Sequence, residues 1–222
     1  MTTLLSRRDV ERLLTPRECI AAVEDAFRKL AERKVPAPGI LGMQAGDGSF
    51  HVKAGFLTLD RPYFAAKLNA NFPQNGTRHG LPTIQGAVIL SDAANGTPLA
   101  IMDSMSITAL RTAAASAVAA KYLARRDCET ALICGCGAQA AAQLRALLCV
   151  RKPRLVWAYD SDGRRAAAFA GSLGKELGIE VRAAAKLDDA VAASRIVVTC
   201  TSSRRFFVTR SMVRPGTFVA AV

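Results

Sequence analysis

The stretch ALICGCGAQAAAQLRALL, residues 131 to 148, contains small residues whose spacing is typical of a phosphate-binding turn. A strand-like apolar run leads into Gly135 and Gly137, and Ala140 opens an Ala-rich run with helical spacing. In this version of G-x-G-x-x-G, Gly135 allows a tight turn, Gly137 lets the backbone approach a pyrophosphate, and Ala140 permits close packing of helix on strand. The helix N-terminus would add amides and partial positive charge. The stretch predicts a pyrophosphate-binding turn, with a plain strand-to-helix connection as the alternative.

An acidic residue stands at the end of the next strand, where such folds contact the ribose of a bound dinucleotide. Asp160 ends the next strand-like run, RLVWAYD, 20 residues beyond Ala140. Its carboxylate would accept hydrogen bonds from the ribose hydroxyls of adenosine and would repel a 2'-phosphate, which favours NAD over NADP. Arg164 and Arg165 lie just beyond and could accept that phosphate, so NADP is the alternative cofactor.

Six cysteines could indicate a metal or redox site, but their spacing favours packing. Cys134 and Cys136 are the only close pair, and the sequence has no C-x-x-C and no Cys/His set of zinc spacing. Reduced, buried thiols are therefore expected, and no metal site is predicted. Of the two histidines, His51 and His79, neither stands in a nucleophile arrangement; His79 is more typical of a solvated loop than of a catalyst.

The formal charge of +12 raises the possibility of nucleic-acid binding. The excess lies in the second half, but as single residues and pairs rather than as a basic run interleaved with aromatic residues. One Trp and three Tyr supply few platforms for base stacking. The sequence also lacks an apolar run of about 18 to 20 residues and a secretory signal. We therefore expect a soluble, cytoplasmic protein that binds neither nucleic acid nor membrane.

The elements that must position these residues change along the chain. The capping box Thr15-Pro16-Arg17-Glu18 predicts an amphipathic helix over residues 16–33. Short apolar runs separated by Gly, Asn and Pro then predict an antiparallel sheet of about four or five strands. From about residue 106 to 126 the Ala content predicts a strong helix. Beyond it, strands alternate with helices.

This alternation predicts an α/β protein with parallel crossovers and ligands at the carboxyl ends of the strands. We expect a Rossmann-type, doubly wound parallel sheet domain at residues 112–222. An α+β domain with a mainly antiparallel sheet is expected at residues 1–111.

Four stretches resemble the ornithine cyclodeaminase and mu-crystallin family. They are AAKLNANFPQN (65–75), GLPTIQGAVILSDAANGTPLAIMD (80–103), ITALRTAAASAVAAKYLAR (107–125) and ICGCGAQA (133–140), with a weaker match in VRPGTFVAAV (213–222). The resemblance implies a substrate-binding and dimerisation domain joined to a dinucleotide-binding Rossmann domain, a homodimer, and NAD(H) or NADP(H) as cofactor. It also implies an enzyme that transfers hydride at the Cα–N bond of an amino acid or imine. The name-giving members convert ornithine into proline and ammonia; others are amino-acid dehydrogenases or ketimine reductases.

The resemblance also assigns roles to residues. Lys67 matches the family lysine at the substrate carboxylate and reacting centre, although a strand lysine could simply face solvent. Arg111 matches the family arginine between substrate and cofactor, with a buried structural ion pair as its alternative. Gly135 and Gly137 belong to the cofactor turn. The remaining matches to family cofactor contacts are Thr83, Ala138, Gln139, Asp160, Thr201, Val219, Ala220, Ala221 and Val222, of which both threonines could equally be plain strand or loop residues.

Two departures from the family put the chemistry in doubt. The family arginine in the segment after the first long helix corresponds here to Gly39, and pairing strands across the GDG turn places Lys53 opposite Ile40, on the other face from Gly39. On that register Lys53 cannot replace the arginine. The sequence also ends at Val222, before the family's catalytic aspartate. We therefore expect a fragment, a truncated product or a chain completed by a partner, with weak or no activity alone. A dinucleotide-binding protein without catalysis is the rival hypothesis.

Overall fold

A mainly antiparallel sheet and a parallel sheet lie in different parts of the chain. The structure is a computed structural model that describes residues 1–203 and 205–222. Unit 1 consists of Met1–Thr15 and Glu24–Thr108, and unit 2 of Pro16–Val23 and Ala109–Val222. The α/β class with a Rossmann-type parallel sheet is confirmed. None of the described helices has both the length and the apolar character needed to cross a membrane.

The sheet of unit 1 has six strands in the order β1-β6-β5-β4-β3-β2. All neighbours are antiparallel except β1 and β6, which are parallel. The sequence predicted four or five of these strands and missed β1, whose parallel partner is far away in the chain and leaves no local signal. The strands are β1 (Thr3–Leu5), β2 (Gly39–Ala45), β3 (Gly48–Thr58), β4 (Pro62–Asn71), β5 (Ile84–Asp92) and β6 (Pro98–Asp103).

Side chains alternate along each strand and point to opposite sides, so this sheet has two different faces. One face, here named the apolar face, carries exposed large apolar residues. They are Leu41, Met43, Phe56, Leu68, Ile89 and Ile101. The opposite face is named the lysine face. It carries Ile40, Lys53, Lys67, Val88 and Met102 in one row across the sheet.

Four helices accompany this part of the chain: α1 (Arg7–Leu13), α2 (Pro16–Ala31), α3 (Asn75–Arg78) and α4 (Ser104–Leu123). A capping box between Ser6 and Asp9 starts α1. The predicted helix 16–33 ends two residues early, because Arg33 adopts a φ of 56° and the amide of Lys34 donates back to the Lys29 carbonyl.

The parallel sheet of unit 2 has the order β11-β10-β7-β8-β9, so the chain winds outwards from β7 in both directions. The predicted alternation of strands and helices is confirmed, with boundaries shifted by a few residues. The elements are β7 (Thr130–Cys134), α5 (Ala140–Val150), β8 (Leu155–Tyr159), α6 (Gly163–Leu177), β9 (Glu180–Ala183), α7 (Leu187–Ala193), β10 (Ile196–Thr199) and β11 (Phe218–Ala221).

The central strand β7 is apolar throughout because helices cover both of its faces. On one side Ile133 packs with Leu144 of α5 and Phe169 of α6; on the other, Leu132 packs with Val191 of α7. This two-sided burial fixes the carboxyl end of β7, where the turn at Gly135 begins.

Candidate functional site

The carboxyl ends of β7 and β10 form the point where the strand order reverses. The chain leaves β7 towards β8 on one side, whereas β10 and β11 lie on the other. Crossovers that depart in opposite directions open a crevice between such strands, which is where open α/β sheets bind ligands. The turn after β7 begins with Gly135, and the segment after β10 begins with Cys200 and Thr201.

Gly135 is fixed by the protein around it. Its φ is +93°, and its amide donates to the Tyr159 carbonyl at 2.8 Å. A Cβ at this position would lie 2.7 Å from both the Cys200 carbonyl oxygen and Cγ2 of Thr201. Both the backbone angle and the lack of space therefore require glycine, which agrees with the tight turn predicted from the sequence.

Gly137 differs, because a Cβ there would meet no protein atom within 4 Å. Within the described residues, the amides of Gly137, Ala138 and Gln139 donate to no protein acceptor, while the Ala140 amide donates to the Gly137 carbonyl at 3.1 Å. These three donors lie together at the start of α5, where the helix adds partial positive charge. The arrangement suits the oxygens of a phosphate group.

The side chain of Gln139 adds a second observation at this turn. Its Oε1 atom is buried and accepts no hydrogen bond from any described residue. A buried acceptor without a donor costs about 1–3 kcal/mol. The residues present thus fit a bound dinucleotide, which would bring hydrogen-bond donors as well as phosphate oxygens to the turn.

Asp160 is tied to the turn by backbone hydrogen bonds. The Cys136 amide donates to Oδ2 of Asp160 at 2.8 Å, and the Asp162 amide donates to Oδ1 at 3.0 Å. Burial by itself would raise the pKa of this carboxyl, but the two amides and the nearby Arg165 charge outweigh it and lower the pKa. Asp160 is therefore a fixed carboxylate, beside the turn as the spacing predicted.

Of the two arginines beyond Asp160, Arg164 pairs with Asp162, whereas the charge of Arg165 lies near enough to Asp160 to lower its pKa. Nε of Arg164 contacts Oδ1 of Asp162 at 3.3 Å, and the Arg164 side chain is 94% exposed. Asp162 also caps the start of α6 by accepting the Arg164 amide. Arg165 is likewise exposed. Only the carboxylate of Asp160 is held firmly in place at this edge.

Three thiols surround the turn. Burial, with a smaller contribution from the Asp160 charge, raises the pKa of Cys134 to about 11 and that of Cys136 to about 12. Burial and the neighbouring thiols raise the pKa of Cys200 to about 12. All six cysteines are free, and the thiol of Cys200 donates to the Gly135 carbonyl at 3.1 Å. Such thiols stay protonated at neutral pH and act as packing groups.

The other residues of unit 2 that the family resemblance assigns to cofactor contacts lie at different depths. Thr201 contacts the turn at Gly135, and Val222 lies at the carboxyl edge, with its amide donating to the Thr199 carbonyl at 2.9 Å. Ala221 pairs with Thr199, whereas Val219 is level with the strand interior. Ala220 lies between them along β11.

Lys67 lies on the lysine face of unit 1. Its Nζ atom donates to Oγ1 of Thr108 in α4 at 3.4 Å, and the residue is half-buried. Its direct cross-strand neighbour on β3 is Lys53. A half-buried lysine with this surrounding does not match the alternative of a strand lysine that simply faces solvent.

The register predicted across the GDG turn is confirmed, because Ile40 pairs with Lys53 and Gly39 pairs with Ala54. That Lys53 cannot replace the family arginine stays a prediction. Lys67 shares the face of Lys53, so position 39 lies on the opposite face from both lysines. The sequence predicted that β3 and β4 belong to one antiparallel sheet, separated by DRP, but assigned a register only to β2 with β3.

Two further residues assigned from the sequence lie elsewhere. Thr83 is exposed just before β5, and its carbonyl accepts the Phe72 amide at 2.8 Å, so it lies five strand positions from Lys67. Arg111 lies on α4 with an exposed side chain, although partial burial lowers its pKa, and it forms no ion pair with a described residue; its role stays a prediction. The described residues contain no group of three His, Cys, Asp or Glu able to hold a metal ion.

The chain is similar in sequence to a known family of proteins. The model of the ornithine cyclodeaminase/mu-crystallin family matches residues 1–222. The alanine dehydrogenase of Archaeoglobus fulgidus is 36% identical over 223 residues, covering 100% of this chain and 66% of that protein. The chain spans between 62% and 66% of the length of three curated relatives that it matches.

Solved structures show the same fold. The Δ(1)-pyrroline-2-carboxylate reductase of Thermococcus litoralis, solved with NADH and L-proline, superimposes with a TM-score of 0.92 at 37% identity and covers 100% of this chain and 68% of its own. An archaeal alanine dehydrogenase dimer with bound NAD has a TM-score of 0.92 at 34% identity and covers 98% of this chain and 66% of its own.

Proposed function

The chain belongs to the ornithine cyclodeaminase/mu-crystallin family, and from that premise we propose that it serves an NAD-dependent enzyme acting at the Cα–N bond of an amino acid or a cyclic imine. Conversion of ornithine into proline and ammonia, dehydrogenation of an amino acid, and reduction of a ketimine all use this hydride transfer. The relatives named alanine dehydrogenase and pyrroline-2-carboxylate reductase support the last two.

The observation that carries the proposal is the set of three amides at Gly137, Ala138 and Gln139, which donate to no described acceptor at the switch point of the parallel sheet. They would hold the pyrophosphate, with Gly135 shaping the turn. Thr201 and the end of β11 would contact the cofactor from the neighbouring strands; the assignment of Thr83 rests on the family resemblance alone.

Bound NAD(H) would accept or supply the hydride. The residues of this chain bind and orient the reactants. Lys67 would hold the substrate carboxylate with its ammonium group, and Arg111 offers a permanently charged fork for a carboxylate or a pyrophosphate. Neither residue is needed to build its own element, since β4 and α4 would form with an apolar side chain at these positions.

NAD is favoured over NADP because of Asp160. Its carboxylate is already fixed by the amides of Cys136 and Asp162, with a lowered pKa, so its charge would stay next to the ribose of adenosine. A 2'-phosphate placed there would meet a like charge without a fixed guanidinium to offset it.

The cofactor part is tested by titrating the chain with NADH. We expect Gly137→Val to weaken NADH binding at least about tenfold, because a branched side chain enters the space beside the amides. Gly163→Val is the matched control, since Gly163 also starts a helix and also has open space around it. Equal NADH affinity of both variants would contradict binding at this turn.

The catalytic part is tested by following NADH oxidation with a cyclic imino acid and NADH formation with ornithine, alanine or proline. Lys67→Ala and Arg111→Ala should abolish turnover and leave NADH affinity within a few-fold. If Lys67→Ala and Arg111→Ala leave cellular function intact while Gly137→Val abolishes it, the dinucleotide-binding protein without catalysis is the better account.

We further propose a homodimer formed through the apolar face. Exposed large apolar residues on neighbouring strands, such as Leu41, Leu68 and Ile89, form one continuous patch, which is unusual for a surface in contact with water. Self-association of that patch would remove it from water, and the related archaeal alanine dehydrogenase is a dimer.

A further inference from the structure

Basic residues that are far apart in the sequence meet at the amino edge of the unit 2 sheet, where its parallel strands start. The turn at Gly135 lies at the opposite, carboxyl edge. The stretches ARRDCE (124–129) and RKPR (151–154) lead into β7 and β8, while Arg195 and Arg214 precede β10 and β11. Together they carry seven cations and two carboxylates. We name this surface the basic edge.

Hydrogen bonds hold three of these segments side by side. The amide of Arg195 donates to the Thr130 carbonyl at 3.1 Å, and the amide of Arg154 donates to the Glu129 carbonyl at 2.8 Å. Arg154 and Arg195 therefore stand on either side of Glu129, in the order of the strands β8, β7 and β10. Because neighbouring strands are about 4.8 Å apart, the two arginines start about 10 Å from each other.

The C-terminus of α4 adds cations beside this row. The guanidinium of Arg151 donates to the Arg125 carbonyl at 3.1 Å, which ties the two basic stretches together. A Cβ on Gly216 would lie 3.4 Å from Cδ of Arg125, so this side chain also reaches the segment before β11. Hydrogen bonding by Arg125 lowers the pKa of Asp127, and the charge of Arg195 adds to the effect. The cations thus belong to one surface.

Pairing with carboxylates, the common reason for exposed cations, accounts for only two of these cations among the described residues. Arg125 forms a two-bonded pair with Asp127, and Nη1 of Arg154 is 3.7 Å from Oε1 of Glu129. Like charges gathered on one face repel one another, and an anionic ligand removes that repulsion. The exposed cations that form no ion pair with a described residue are Arg126, Lys152 and Arg214.

The charge pattern favours an acidic polypeptide over a nucleic acid. Glu129 stands between the two arginines of the row, and a phosphate backbone, which is negative at every step, would meet its carboxylate. A polypeptide can instead place a neutral side chain opposite Glu129 and carboxylates on either side. Arginine binds carboxylates through two parallel hydrogen bonds, as Arg125 and Asp127 already do at this surface.

We propose that the basic edge docks an acidic segment of a partner protein, in which two carboxylates bind Arg154 and Arg195 and a neutral residue lies opposite Glu129. An extended segment covers the distance of about 10 Å between the arginines with about three residues. The segment binds at the sheet edge opposite the turn at Gly135, so it shares no residue with the dinucleotide site. The inference goes beyond the proposed function and does not depend on it.

The test measures binding of a fluorescein-labelled peptide of Glu-Glu-Ala-Ser repeats to the full chain, by fluorescence anisotropy at low salt. We expect Arg154→Glu to weaken peptide binding at least about tenfold and Arg195→Gln at least about threefold. Arg164→Glu is the matched control, because it makes the same change of charge at a 94% exposed side chain near the carboxyl edge. Peptide affinity in this control should stay within about twofold.

Arg154 is 84% exposed, so its replacement leaves the fold intact, and thermal unfolding checks this for every variant. A wild-type chain that does not bind the peptide at low salt would overturn the inference. Equal losses in Arg154→Glu and Arg164→Glu, or equal binding of a peptide with Gln in place of Glu, would overturn it as well.

The other occupants of a basic surface are tested with the same variants. Duplex DNA or phosphatidylserine vesicles that bind more tightly than the peptide, and that Arg154→Glu releases, would assign the basic edge to nucleic acid or membrane and overturn the inference. NADH affinity is titrated in parallel and should stay within about twofold in Arg154→Glu. A chain that binds the peptide at this edge but no NADH contradicts the proposed function and supports this inference.

Discussion

At the scale of single residues, two glycines in one turn are constrained in different ways. Gly135 has a positive φ and no room for a Cβ beside the Cys200 carbonyl, whereas Gly137 has open space around it. Glycine at position 135 is therefore needed for folding, whereas at position 137 the open space is where the proposed ligand would bind. This difference can be measured.

We expect Gly135→Ala to lower the free energy of unfolding by about 2 kcal/mol or more, because φ strain adds to overlap with backbone atoms. Gly137→Ala should leave that free energy within about 0.5 kcal/mol but weaken NADH binding. Urea unfolding and NADH titration of the same two variants check both parts. Equal destabilisation by both substitutions would contradict the distinction.

Asp160→Asn should shift the cofactor preference. The amide oxygen of Asn can still accept the Cys136 amide, while the charge that repels a 2'-phosphate is gone. We expect the ratio of NADPH to NADH affinity to rise about tenfold. Asp162→Asn is the control, since asparagine caps a helix as well as aspartate does and the ratio should not move. Titrations with both cofactors measure it.

The thiols around the turn predict a loss of stability at high pH. The folded pKa values of Cys134, Cys136 and Cys200 lie above the ordinary value of 9.0 because burial disfavours the thiolate. Above about pH 9 the unfolded chain therefore binds fewer protons than the folded chain, and the free energy of unfolding falls as pH rises. The buried Cys134 alone contributes a slope of at most about 1.4 kcal/mol per pH unit.

Urea unfolding between pH 8 and 11 checks this slope. Cys134→Ala should flatten the decline, whereas Cys149→Ala, a substitution on α5 away from the turn, should leave it unchanged. An identical slope in Cys134→Ala and wild type would show that other groups cause the decline.

At the scale of elements, two arginines of unit 2 contribute differently. Arg145 forms a two-bonded pair with Glu176 between α5 and α6, but both side chains are more than a third exposed. Arg151, just after α5, donates to the carbonyls of Lys121 and Ala124 at 2.9 and 2.7 Å, at the C-terminus of α4. Carbonyls at the C-terminus of a helix lack an intrahelical donor and carry partial negative charge.

Arg151→Met should therefore cost about 2 kcal/mol of unfolding free energy, and Arg145→Met at most about 1 kcal/mol, although Arg145 has the ion pair. Methionine keeps most of the apolar stem in both cases. Chemical denaturation of the two variants compares them directly. A larger loss for Arg145→Met would mean that the helix end is satisfied by water.

The elements of unit 2 could be predicted from the sequence because each central strand is a continuous apolar run and each connection carries a Gly or Asp signal. Gly135 and Asp160 then followed from spacing. Strand β1 could not be predicted, since three residues that pair in parallel with β6 leave no local pattern. The Lys53–Lys67 pair required the register of β3 with β4, which depends on the whole sheet. The Cys136–Asp160 hydrogen bond uses a backbone amide and leaves no trace in the sequence.

At the scale of the whole molecule, the apolar face predicts the association state. Leu68→Asp places a charge in the middle of the face, where burying it against a second copy would cost several kcal/mol. We expect this variant to be monomeric by light scattering under conditions where the wild type is a dimer. Leu123→Asp, at an exposed apolar position on α4, should stay dimeric. A wild-type monomer at micromolar concentration would contradict the proposed dimer.

The hydrogen bond from the Cys136 amide to Asp160 has a consequence for how this sequence can diverge. The bond uses the main chain, so it bars proline from position 136, while the packing of the thiol against the core favours small side chains there. A library randomised at positions 135 to 137 and selected for NADH binding should therefore return glycine at 135, small residues at 137, and small residues other than proline at 136. The contact that fixes Asp160 can then persist while the side chain that supplies its amide changes.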